Sequence, residues 1–161
     1  RFPKKRKAGS RNNWMMSAAV NSYTVTNNLA DATNGLYLDQ SAVQQLANSG
    51  VVFGNHTRRH HVMATLDADT HRQEIGESAR ELSAVVECDQ DVLSLPFGGR
   101  TDWNDTTLSV AAELVYSVVL STTAGKPGSK LHHTKNGEIL EIQRSIASQN
   151  VRGIFRAMSG A

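Results

Sequence analysis

Two histidines four residues apart, His56 and His60, are the side chains whose types and spacing best suit chemistry. They follow a short apolar run, residues 51–53, which ends at Gly54 as a buried strand would. Ligands of α/β sheets bind in the loops beyond the carboxyl ends of strands. If this loop makes a single helical turn, both imidazoles can converge on one metal ion. Zinc, cobalt, nickel and iron suit neutral imidazole, and a chance pair on a surface turn is the alternative.

A second group of candidate residues follows a later apolar segment, residues 92–95. Pro96, Phe97 and Gly98 end that predicted strand and could line a groove for substrate, although such a turn is also a plain strand stop. Trp103 begins the next predicted helix, and its ring could stack on a sugar or lie half-buried. The sequence therefore predicts a metal site next to an aromatic groove.

The first of these segments resembles the second motif of the polysaccharide deacetylases with NodB homology, carbohydrate esterase family 4. That motif reads His, Ser or Thr, two variable residues and His after a strand ending in Gly, and here it spans residues 56–60. The family usually has Pro next, where this chain has His61. The resemblance covers roughly residues 18–160 and is strongest at residues 51–66 and 92–99.

The proline turn resembles the third motif of the same family. Many members place Arg just ahead of it, where this chain has Ser94 and Leu95. The resemblance implies that His56 and His60 are metal ligands and that a divalent metal, zinc first and cobalt or nickel as alternatives, is the cofactor. It also implies an N-acetylated polysaccharide or oligosaccharide as the substrate.

The reaction that the resemblance implies releases acetate from an amino sugar. In the family a metal polarises the acetyl carbonyl and a bound water, an aspartate takes the water's proton, and a histidine protonates the leaving amine. The motif Thr-Phe-Asp-Asp-Gly, which supplies that aspartate and the third metal ligand, occurs nowhere in the 161 residues. Residues 131–133 fit the letters of the late Leu-x-His motif, but they fall in a predicted loop and are interpreted as coincidence.

The sequence therefore identifies no catalytic base or acid, and the catalytic residues are unknown. We expect hydrolysis of N-acetyl or O-acetyl groups, impaired by loss of the aspartate motif. Asp67, Asp69 or Asp102 could replace the missing carboxylate only through a rearranged loop, and Arg144, at the end of the last strand, could reach the site. One alternative is a non-catalytic carbohydrate- or metal-binding module on the same scaffold. Another is an unrelated α/β domain that binds a partner.

The elements that would position these residues alternate between strand and helix. Residues 70–87 carry the clearest helical period, and Thr70 with Gln73 could form a capping box. Residues 125–137 are polar and rich in glycine, which predicts a loop. The predicted strands are residues 17–25, 51–53, 92–95, 116–120 and 139–144, and the predicted helices are residues 39–47, 70–87, 104–115 and 151–158.

This order predicts an α/β fold, an incomplete, distorted (β/α) barrel of the NodB-homology type that lacks its first strand. Because an open barrel exposes strand edges, we also expect marginal stability or self-association.

Charge and composition set the remaining limits. Six basic residues precede the first acidic one, Asp31, and the rest of the chain has 11 basic and 15 acidic residues. We therefore predict a basic disordered tail, residues 1–13, and a deacetylase-like domain, residues 14–161, with no nucleic-acid partner. The sequence contains no run of 18 apolar residues, so no membrane span is predicted. No signal peptide is visible, and the location is unknown. The family resemblance suggests the cell envelope or the exterior of the cell. Cys88 is the only cysteine, which excludes an internal disulfide.

Overall fold

Six strands form one sheet in the computed structural model, which describes residues 17–20, 38–123 and 127–145. The strands are β1 (Ser17–Val20), β2 (Val52–Asn55), β3 (Cys88–Ser94), β4 (Val118–Thr123), β5 (Ser129–Thr134) and β6 (Gly137–Ser145). They are arranged in the order β1-β2-β3-β4-β6-β5, and every neighbouring pair is parallel except β5 with β6. Within these residues the sheet does not close, which confirms the predicted incomplete (β/α) barrel.

Among the described residues, three α-helices connect the strands: α1 (Gln40–Asn48), α2 (Ala68–Ser83) and α3 (Asp105–Glu113). The carboxylate of Asp67 caps α2 by accepting a hydrogen bond from the Thr70 backbone N–H at 2.7 Å. The predicted cap at Thr70 is therefore wrong, because the helix begins one residue after Asp67. Asn104 and Thr107 form a reciprocal capping box at the start of α3.

The helices pack their apolar sides on one face of the sheet. The helical period predicted at residues 70–87 agrees with this packing, since Ile75 and Leu82 are fully buried in α2. Two buried clusters result. The larger contains Met63, Ile75, Leu93, Leu95, Trp103, Leu108, Val110, Ala111, Tyr116, Val119 and Ile139, and the smaller contains Val43, Phe53, Leu82 and Val86. This packing holds the carboxyl ends of the parallel strands at one common edge.

The predicted loop at residues 125–137 contains a strand instead. β5 pairs antiparallel with β6 from Ser129 opposite Ile142 to Thr134 opposite Gly137. Backbone pairing with β6 decides this conformation, because the polar sequence has weak strand character of its own. The predicted helix at residues 151–158, the basic tail and part of the first predicted strand lie outside the described residues.

A histidine near the start of a helix has the sequence pattern of a solvated residue, which predicts an exposed side chain at His71, and the structure differs from that prediction. The side chain is completely buried, with Nδ1 2.7 Å from the Asp67 carbonyl oxygen and Nε2 2.9 Å from Thr107 Oγ1. The ring therefore connects the first turns of α2 and α3. In the described part of the chain no helix has the length and apolar character needed to cross a membrane.

Candidate metal and substrate site

The histidine loop, residues 56–60, leaves the carboxyl end of β2 in an irregular conformation. Thr57 and His60 have φ angles of 64° and 61°, so the expected helical turn does not form. The buried Asn55 side chain shapes this departure, because its Oδ1 accepts the Thr57 backbone N–H at 2.8 Å. Its Nδ2 donates to the Ile75 carbonyl oxygen at 3.0 Å and to the Tyr116 hydroxyl at 2.7 Å. Asn55 therefore ties the loop to α2 and to the core.

This loop brings the two predicted ligands together. The Nε2 atoms of His56 and His60 lie 3.1 Å apart. His56 Nδ1 lies 2.8 Å from the Ser94 carbonyl oxygen and must donate its proton there, so Nε2 carries the free electron pair. Two nitrogens at this separation can each lie about 2.0–2.1 Å from one zinc ion. The donor set thus fits two ligands of a zinc-type site.

The environment of His56 favours its neutral form, which is the form that binds metals. Burial is the largest cause that lowers the pKa of His56 below 6.5. The positive charges of His60 and Arg144 lower that pKa further, whereas the hydrogen bond to Ser94 opposes them. Within the described residues no group of three or more His, Cys, Asp or Glu side chains could hold a metal.

The three aspartates considered as replacement ligands are engaged elsewhere. Asp67 caps α2, and Asp69 pairs with Arg72 at 2.7 Å. Asp102 accepts the Gly99 backbone N–H at 2.8 Å through Oδ2. A rearranged loop that brings one of them to the histidines is not present in this structure.

Carboxylates of α2 clamp the outer side of the histidine loop. Glu74, only 4% exposed, accepts the Arg59 backbone N–H at 2.8 Å. Arg58 forms ion pairs with Glu77 and Glu81, both at 2.8 Å. The sequence carries a signal for this clamp that was not among the predictions. Three glutamates recur along α2 at a spacing that places them on one helical face opposite two consecutive arginines.

The proline turn, residues 96–98, forms the neighbouring wall of the site. Phe97 and Gly98 both have positive φ angles, 56° and 79°. The Gly98 carbonyl oxygen accepts the Thr122 backbone N–H at 2.8 Å, which fixes the turn to the end of β4. The Phe97 ring is 57% exposed and meets the His60 ring edge-on, with 4.7 Å between the centroids. Of the residues predicted in this turn, Pro96 and Gly98 are buried and Phe97 faces solvent.

Trp103, also predicted to contact substrate, lies in the core. Its ring is 3% exposed, and the Arg100 guanidinium covers it at 4.9 Å from the centroid. A sugar therefore finds no free face of this ring in the present conformation. His132 meets the same ring edge-on at 5.9 Å.

His132 belongs to a polar network on the helix-covered face of the sheet. It lies 2.8 Å from one carboxylate oxygen of Glu141, and Ser121 Oγ donates to the other oxygen at 2.6 Å. Residues 131–133 are thus part of strand β5, and the histidine is committed to this network. Sequence analysis did not identify Glu141, because a lone glutamate in an alternating strand has the pattern of a solvated residue.

Arg144 reaches the site from the end of β6. Its Nε donates to the Ser121 carbonyl oxygen on β4 at 3.3 Å. This contact places Nε against β4, which is the neighbour of β3, and Ser94 at the end of β3 bonds His56. The expectation that Arg144 could touch the site agrees with its effect on the pKa of His56.

Comparisons with known structures agree with this fold. The deacetylase PplD of Streptococcus pyogenes, solved in complex with acetate, superposes with a TM-score of 0.66 at 20% sequence identity. The match covers 89% of this chain and 58% of that one, so the chain spans little more than half of the solved protein. A candidate polysaccharide deacetylase from Mycobacterium smegmatis gives a TM-score of 0.62 at 19% identity, covering 81% of this chain and 41% of that one. No curated protein sequence is significantly similar.

The sequence itself matches a family profile. The profile described as polysaccharide deacetylase aligns with residues 11–119, a span that contains both the histidine loop and the proline turn. Because this match extends over more than half of the sequence, the chain belongs to the polysaccharide deacetylase family.

Proposed function

We propose that this chain provides the metal-binding and groove-forming part of a carbohydrate deacetylase that removes N-acetyl, or O-acetyl, groups from a polysaccharide or amino-sugar oligomer. The convergence of His56 and His60 carries the proposal. Their Nε2 atoms meet 3.1 Å apart while the Ser94 carbonyl oxygen fixes the His56 ring. A histidine pair on a surface turn without function needs no such orientation.

The cofactor in this proposal is a divalent metal, zinc first and cobalt or nickel as alternatives. When bound, such an ion supplies Lewis-acid polarisation of an acyl carbonyl and of a water molecule. His56 and His60 would hold it through Nε2. The exposed ring of Phe97, packed against His60, would give the acetylated sugar an apolar surface beside the ligands.

We further propose that the 161 residues alone hydrolyse acetyl groups slowly. General acid–base assistance is typically worth about 10²–10⁴-fold in rate, and the family's Asp-Asp motif is absent from this sequence. Two neutral imidazoles also leave the charge of a divalent ion uncompensated, which weakens binding. We expect at most weak release of acetate from chitin oligomers.

A metal titration tests the proposal directly. The purified chain would be titrated with zinc and with cobalt, the cobalt absorption reporting the ligands, beside the variants His56→Ala and His60→Ala. His133→Ala is the matched control, because His133 is an exposed histidine on β5 that pairs with Glu138 on β6. We expect binding in the parent and the control and none in the two loop variants.

Acetate release from chitin oligomers, measured on the same samples, separates the two forms of the proposal. Metal-dependent release that His60→Ala abolishes supports a hydrolase. Metal and sugar binding without release supports the alternative, a non-catalytic carbohydrate- or metal-binding module. Absence of metal binding in the parent would refute both metal-dependent forms.

A further inference from the structure

We propose that Arg144 is the anion-binding residue of this site and that its guanidinium holds the carboxylate of acetate beside the histidine pair. The identity of the anion rests on the proposed function, because acetate is the product of the proposed hydrolysis. The position of the guanidinium rests on the structure alone.

The strand order brings Arg144 to the site. β3, β4 and β6 are consecutive parallel strands, so their carboxyl ends lie side by side at one edge. His56 is held over the end of β3 by the Ser94 carbonyl oxygen, and Arg144 is held over β4 by the Ser121 carbonyl oxygen. Adjacent strands lie about 4.7–4.9 Å apart, so the two side chains overhang neighbouring strands.

Arg144 also lies opposite Thr122 in the β4–β6 register, and Thr122 holds the Gly98 carbonyl oxygen of the proline turn. The guanidinium therefore belongs to the same rim as the histidine loop and the proline turn.

The guanidinium also has unused hydrogen-bonding capacity. Arginine has five N–H donors, and the bond to Ser121 occupies only Nε. None of the salt bridges between described residues includes Arg144. The side chain is exposed, yet enough protein surrounds the guanidinium that burial lowers its pKa. A cation that is partly desolvated, still accessible and without an ion pair among the described residues suits a small anion.

Carboxylate is the anion whose shape matches these donors. A guanidinium can give two parallel N–H···O bonds to one carboxylate, which adds geometric selectivity to charge attraction. Acetate bound in this way would place its methyl group or its oxygens near His56 and Phe97. The same fork would stabilise negative charge that develops on the acyl oxygen during hydrolysis.

Acetate binding to the metal-free chain tests the inference independently of metal loading. Chemical shift changes of ¹³C-labelled acetate, or of backbone amides, would give the dissociation constant for the parent, Arg144→Gln, Arg144→Lys and Arg80→Gln. Arg80 is the matched control, an exposed arginine on α2. We expect acetate affinity to fall about five- to tenfold in Arg144→Gln, allowing for solvent screening at an exposed site. The acetate affinity of Arg144→Lys should lie between those of the parent and Arg144→Gln, and the affinity of Arg80→Gln should equal that of the parent.

Three results would overturn the inference. They are no acetate binding by the parent, equal loss in Arg144→Gln and Arg80→Gln, or unchanged affinity in a folded Arg144→Gln. A lower melting temperature of Arg144→Gln without ligand, combined with unchanged acetate affinity, would give the guanidinium a structural role, such as its bond to the Ser121 carbonyl oxygen, instead. Zinc titration of the same variants keeps the two proposals apart. If the parent does not bind zinc, the metal site is refuted, whereas the acetate affinities decide the role of Arg144.

Discussion

His56 Nδ1 lies 2.8 Å from the carbonyl oxygen of Ser94, the last residue of β3. This bond joins the loop after one strand to the end of its neighbour, and it determines which ring nitrogen is free. We predict that His56 in the metal-free chain at neutral pH carries its proton on Nδ1. Long-range ¹⁵N–¹H correlation spectra distinguish the two tautomers, and a proton on Nε2 would remove the electron pair that the proposed ligand needs.

Glu74→Ala tests the clamp on the histidine loop. The Glu74 carboxylate is 4% exposed and holds the Arg59 backbone N–H. Its loss should lower the free energy of unfolding by about 1–3 kcal/mol, because a partly buried N–H loses its acceptor. Zinc affinity should fall by roughly tenfold or more, as for other residues that orient metal ligands. Chemical denaturation and zinc titration provide the two measurements.

Glu77→Ala is the comparison for that variant. Glu77 pairs with Arg58 at 2.8 Å, but both side chains are partly exposed and Arg58 keeps its second partner, Glu81. Such pairs are worth roughly 0–1 kcal/mol. Equal effects of Glu74→Ala and Glu77→Ala would show that the loop does not depend on the buried carboxylate.

Gly98→Ala tests the proline turn. Gly98 has a φ of +79°, and an added Cβ would lie 2.7 Å from Thr122 Oγ1 and 3.0 Å from the Thr122 backbone nitrogen. Gly50→Ala is the control, because Gly50 has a φ of +93° but nothing within 4 Å of such a Cβ. Backbone strain alone costs roughly 1–2 kcal/mol. We expect Gly98→Ala to lose more free energy of unfolding than Gly50→Ala in urea denaturation. Equal losses would mean that the turn can move away from β4.

Local sequence patterns predicted the elements of this fold that depend on residues close together in the sequence. The period of Ile75 and Leu82 identifies α2, and an apolar run ending at Gly54 identifies β2. The pairing of β5 was missed because it depends on β6 rather than on its own polar residues. The burial of His71 was missed because its partner, Thr107, is distant in sequence.

In the candidate site, too, the sequence predicts one feature and leaves another unpredicted. The spacing of His56 and His60 predicts that the two rings converge, as they do in this structure. The means of convergence was not predictable from spacing, because it needs two positive φ angles and the buried Asn55 side chain. That both histidines bind metal stays a prediction.

The open sheet predicts self-association of the isolated chain. In the described residues the sheet ends at β1 and β5, and Leu131 on β5 is 48% exposed. Strand edges with unpaired backbone groups can pair with another copy. The monomer has a mass of 17.5 kDa. We expect its sedimentation coefficient, measured by analytical ultracentrifugation, to rise with concentration. A clean monomer with a sharp, reversible thermal transition would contradict this.

Glu141 gives the chain a pH-dependent source of stability. Burial alone would raise the pKa of Glu141, but hydrogen bonds from Ser121, His132 and Gln143 outweigh it and hold that pKa below 4.5. The folded state therefore binds fewer protons than the unfolded state at acidic pH, and stability rises with pH. The contribution is complete above pH 4.5 and is lost as the pH falls through the lowered pKa.

Glu141→Gln tests this contribution without changing the shape of the side chain. Above pH 4.5 the variant should be less stable than the parent by roughly 1–2 kcal/mol, because charge-assisted hydrogen bonds become neutral ones. The difference should shrink at lower pH, where the parent also loses the charge. Glu138→Gln is the control, since Glu138 is 62% exposed and pairs with the exposed His133. Denaturation curves across the acidic range measure both variants. A Glu141→Gln difference that stays constant with pH would mean that the carboxylate contributes through shape rather than through charge.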